Sequence, residues 1–154
     1  GNNNSYNLDD GTNYYNYSAA NKKGTFQNRI FEFCKNLINF RKSNPVFSLA
    51  NYDEKLTYFN EHSQQIDVNS ENLKSDYSKN YIGIKVENNS GDFFIALSKH
   101  PFDYKFKLPK AQENKNWYIL FDTSNKEHIT FEPKEFFGLE YVLNPNSMVV
   151  FKEL

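Results

Sequence analysis

The chain of 154 residues has a single cysteine, Cys34. An internal disulfide and a cysteine-rich metal site are therefore both excluded. It has no surplus of positive charge either. Its 18 Lys and Arg stand against 19 Asp and Glu, a net charge of -1, whereas a surface that grips phosphates needs a basic excess. No nucleic-acid partner is expected. No apolar run approaches the ~20 residues of a membrane helix, and no signal-peptide pattern opens the chain. A membrane partner is not expected. The chain also lacks a glycine-rich phosphate loop and a nucleophile elbow. His62, His100 and His128 stand apart from one another and from acidic clusters. No histidine spacing matches a zinc motif, so neither a metal nor any other cofactor is expected.

Aromatic rings are what the sequence has in quantity: 18% of residues, with 15 Phe and 11 Tyr against one Trp. Most of these should be core. Residues 1–24 read as loop, because turn formers such as Asp9-Asp10-Gly11 are frequent and neither apolar period is present. Residues 25–42 read as a helix. Thr25 is a good N-cap, and Phe26, Ile30, Phe33, Cys34, Leu37 and Ile38 recur at three- and four-residue spacings. Cys34 on that stripe is expected to be a small buried hydrophobe. Asn44-Pro45 should end the helix.

From about residue 55 the pattern changes to strands. Candidates are 56–59, 81–87, 92–98, 104–108, 117–121 and 147–151, with weaker ones at 128–131 and 141–143. The stretch 60–80 reads as a long polar loop, and 88–91 as a hairpin turn. Short strands at this spacing point to an antiparallel sandwich or barrel. Trp117, Ile119 and Phe121 should share one face and close its core, joined by Val149 and Phe151. Ile95 is expected to be a core position, while Lys105 and Lys107 lie on a solvated face.

Glycoside chemistry generally uses two facing carboxyl groups. Asp9-Asp10 is the only candidate in a sugar-binding type of loop, and solvent-exposed turn aspartates explain it as well. Asp122 ends an apolar strand before Thr123-Ser124, the pattern of a turn cap. Taken alone, the residues offer no catalytic constellation.

Several motifs in order nevertheless carry a resemblance. Gly1-Asn2-Asn3-Asn4-Ser5-Tyr6, the acidic Asp9-Asp10 and the bend Asn13-Tyr14-Tyr15-Asn16-Tyr17 are followed by a helix ending in Phe40-Arg41 and by Pro45. Then come Phe94-Ile95-Ala96-Leu97, Leu108-Pro109, Trp117, Phe121-Asp122-Thr123 and a last strand from Ser147 to Phe151. This succession resembles the end of isoamylase-type debranching enzymes of the α-amylase superfamily. The family often has tryptophan and aspartate late in the bend, where this chain has Tyr17 and Ser18.

The resemblance implies a mainly β fold. Residues 1–46 would be the last loop and helix of a (β/α)8 barrel, and residues 47–154 a C-terminal antiparallel β-sandwich. It implies a parent that is an α-1,6-glucan hydrolase whose catalytic carboxylates precede Gly1, so the chain itself should be inactive. Asn2, Asn3, Asn4, Tyr6 and Asp9 would be the substrate-side contacts, through amide hydrogen bonds and ring stacking. Expected partners are an α-glucan, the absent barrel and, through the helix stripe, a second copy of the chain. The alternatives are a stand-alone glucan-binding sandwich, with Tyr58, Phe59, Tyr77, Tyr81 and Trp117 as its platform, and a sandwich that binds nothing and only covers the barrel.

Overall fold

A computed structural model describes residues 17–48, 55–69, 80–125 and 131–154. The chain divides into two units, Gly1–Phe40 and Arg41–Leu154.

The long helix α2 spans Phe26–Ser43, and its last turn belongs to the second unit. Its N-terminus is capped as the sequence suggests: Thr25 Oγ1 accepts the Asn28 N–H at 3.1 Å. Lys and Arg side chains at Arg41 and Lys42 occupy the last turn, where the helix dipole favours cations. A short helix, α1, covers Tyr17–Asn21 inside the stretch expected to be loop. Its carbonyls find donors in the next helix's cap. Thr25 Oγ1 donates to Ala19 O and Lys22 O, and Asn28 Nδ2 to Ala20 O. Those bonds support a turn that has no apolar period of its own. No described residue of α2 is buried, and Cys34 is exposed rather than buried. Periodicity shows which face of a helix is apolar but not whether anything covers it.

The second unit is a β-sandwich, as the strand pattern implies. A 3-10 turn at Pro45–Ser48 leads into it. Its strands are β1 (Leu56–Phe59), β2 (Gln65–Ile66), β3 (Tyr81–Val86), β4 (Phe93–Ser98), β5 (Tyr104–Lys107), β6 (Trp117–Asp122), β7 (Lys134–Glu135), β8 (Glu140–Leu143) and β9 (Ser147–Glu153). Seven form an antiparallel sheet in the order β2-β1-β3-β4-β9-β6-β7, and β5 pairs with β8 in a second sheet. The candidate strand at 128–131 falls mostly outside the described residues.

The region 60–80 is not all loop. Asn60 folds it into a tight turn: its Oδ1 accepts the N–H groups of His62 and Gln64, and Ser63 takes a positive φ of 62°. That turn returns the chain as β2, which pairs with β1.

Side chains alternate along each strand, so one face of the large sheet meets the small one. Phe94 and Ala96 of β4, Trp117 and Ile119 of β6, and Val149 and Phe151 of β9 form that face. Phe106 and Leu143 close it from the small sheet. Phe106 lies 6.2 Å from Phe94 and 6.3 Å from Phe151, ring centre to ring centre. Trp117 donates its indole N–H to Pro109 O at 2.8 Å, which satisfies its one polar atom. The Tyr141 hydroxyl donates to Asp122 Oδ2 at 2.7 Å and so ties the small sheet to the large one.

Two core expectations need correction. The β6–β9 register shifts between Ile119 and Phe121, and a bulge of this kind moves every later side chain to the other face. Phe121 is buried, but against Phe131, 4.5 Å away, rather than in the inter-sheet core. Ile95 is only half-buried: it points to the face of the large sheet opposite Phe94, where Phe47 covers Phe93 but Ile95 keeps part of its surface open.

Glycine is required at Gly91. It closes the β3–β4 turn with φ at +116°, and a Cβ there would stand 2.1 Å from the Glu153 carbonyl oxygen. Gly91→Ala thus combines a conformation that L residues avoid with a backbone clash. We expect it to cost about 2–4 kcal/mol, read as a lowered urea midpoint. An unchanged midpoint would show that the turn relaxes freely.

Candidate functional site

The five residues singled out for substrate contact, Asn2, Asn3, Asn4, Tyr6 and Asp9, lie outside the described residues, as does Asp10. The structure therefore brings none of them together with any other group.

The buried acids of the sandwich are committed to structure. Glu153 is fully buried. Its carboxylate accepts the N–H of Asp92 at 3.3 Å and that of Gln112 at 3.1 Å. Asp92 accepts from the Asn88 N–H at 2.9 Å and from Gln112 Nε2 at 2.9 Å, and pairs with Lys85 Nζ at 2.9 Å. Burial alone would raise the Asp92 pKa. The donors from Lys85, Asn88 and Gln112 outweigh it and hold the group below its usual range. Asp122 caps its turn as expected, accepting from Ser124 N at 2.8 Å and Ser124 Oγ at 2.6 Å besides Tyr141. Burial and this neighbouring carboxylate push the Tyr141 hydroxyl pKa up. None of these acids has an oxygen set aside for a substrate. No cluster of metal-ligating side chains occurs among the described residues.

Lys105 and Lys107 lie on an exposed face as expected. Both pair with Glu140, whose pKa the Lys105 hydrogen bond lowers.

Of the expected platform residues that are described, none is exposed. Trp117 and Tyr81 are buried, Phe59 packs against the core, and Tyr58 is half-buried. Tyr77 lies outside the described residues.

What sequence reading missed is a cleft of about 1040 Å³ at the end of the sandwich where β3 begins and β4 ends. Its walls include Asn60, Glu61, Lys99, His100, Tyr104 and Asn146. The rings form a ladder. Tyr81 stacks on Tyr104 at 5.6 Å, and His100 lies 5.3 Å from Tyr104 and 5.7 Å from the exposed Phe102. The Tyr81 hydroxyl is buried and has no hydrogen-bond partner among the described residues. Burial, then Glu61 and Tyr104, pushes its pKa well up, so it stays a neutral phenol. Tyr104 is raised for the same first reason, burial, with Glu61 second. These residues sit at the tips of five strands, β1, β3, β4, β5 and β9, so no local motif signals them.

Comparison with known proteins finds similar chains. The isoamylase of Pseudomonas amyloderamosa is 30% identical over 125 residues, 79% of this chain. This chain is a relative of the isoamylases. A second isoamylase, from Pseudomonas sp. (strain SMP1), matches to the same extent. The chain spans 16% of the length of either isoamylase. No family model matches it. Among solved structures, type I pullulanase from Bacillus subtilis str. 168, complexed with maltose, superposes with a TM-score of 0.59 at 17% identity, covering 91% of this chain and 17% of the pullulanase. A variant of MutB, in complex with sucrose, gives 0.50 at 15% identity, over 81% of this chain and 18% of its own. At such identities these two matches speak for the fold. The isoamylase match agrees with the resemblance that the ordered motifs carry.

Proposed function

We propose that the chain is the C-terminal portion of an α-1,6-glucan debranching glycoside hydrolase acting on glycogen, starch or amylopectin. In that role it carries structure rather than the reacting groups. The observation that supports this most is the 30% identity to isoamylase, which extends over 125 residues, well beyond any single motif. The chemistry of the sandwich agrees: Asp92, Asp122 and Glu153 each hold backbone or side-chain donors, and such acids are poor candidates for proton transfer to a sugar oxygen. Residues 1–16 would supply loop contacts to the glucan through Asn2, Asn3, Asn4, Tyr6 and Asp9. The burial of Trp117 and Tyr81 favours this reading over a glucan-binding module built on them.

The purified chain should release no reducing sugar from glycogen, amylopectin or pullulan. Reproducible hydrolysis, lost on mutating Asp9 or Asp10, would overturn the proposal.

The helix α2 bears on the second expected partner. Phe26 is 65% exposed, Ile38 56% and Ile30 48%, an apolar stripe suited to packing on another surface. In the parent that surface is the barrel. In the isolated chain a second copy takes its place, so light scattering should show self-association that Ile30→Glu with Ile38→Glu abolishes. A monodisperse monomer would count against the stripe as a contact surface.

A further inference from the structure

We draw no further inference here: the strongest candidate, the apolar patch of Ile82, Ile84, Ile95, Leu97 and Met148 on the outer face of the large sheet, carries none because nothing among the described residues shows what covers it.

Discussion

Phe94→Ala should be the most damaging single truncation in the sandwich, costing about 3–5 kcal/mol. Phe94 is completely buried at the centre of the large sheet. Its ring meets Phe59, Phe106 and Trp117 at centroid distances of 6.0, 6.2 and 6.1 Å. Tertiary fit around it is tight. A Cβ on Gly83, diagonal to it across the β3–β4 pair, would stand 2.6 Å from Phe94 Cζ. Phe106 and Trp117, which touch the ring, are held by the small and the large sheet respectively, so the space would not collapse. A domain of this size has about 5–15 kcal/mol in total. Urea unfolding should therefore show a marked drop in midpoint. Ile95→Ala, next in sequence but half-buried on the opposite face, should cost about 1–2 kcal/mol, and Lys105→Ala about 0.5 kcal/mol or less. Equal midpoints for Phe94→Ala and Ile95→Ala would mean that the inter-sheet core has been assigned to the wrong face.

Asp92→Ala should come close to it, at about 3 kcal/mol, because removing one member of a buried charged network strands the others. Lys85 Nζ, Gln112 Nε2 and the Asn88 N–H would all lose their acceptor. The same network gives stability a pH dependence of definite sign. The folded-state pKa of Asp92 is depressed. Its contribution is therefore complete above the unfolded-state pKa of about 3.9 and is lost as pH falls through the lower folded value. Stability of the wild type should decline below about pH 4, and that part of the decline should be missing in Asp92→Asn. A variant that keeps the full acid loss would assign it to other carboxylates.

Much of this fold is legible in the sequence, and the reasons are local. Helix α2 announces itself because the cap, the 3.6-residue period and the terminating proline all agree at Thr25, along the apolar stripe and at Pro45. The central strands are legible because Phe93 to Ser98 and Trp117 to Asp122 are apolar runs of strand length. What is not legible depends on partners. The two-residue strands β2 and β7 exist only through their pairing with β1 and β6. The register shift before Phe121 is set by the fit of β6 against β9. The half-burial of Ile95 and the exposure of Cys34 depend on what covers a face, which period alone cannot say. The cleft is of the same kind. Glu61, Lys99, His100 and Asn146 are unremarkable turn residues until the sheet gathers the ends of β1, β4 and β9. The family, by contrast, was readable from the order of small motifs, and the isoamylase match agrees with it.

The central claim is that this chain completes a debranching enzyme whose reacting carboxylates lie elsewhere. The most direct test is a debranching assay on amylopectin with this chain joined behind an isoamylase-type catalytic barrel, followed as linear chains released from α-1,6 branch points, beside the isolated chain. Linear chains from the joined protein and none from the isolated chain are the predicted result. A joined protein that leaves the branch points intact, or an isolated chain that cleaves them, would contradict it.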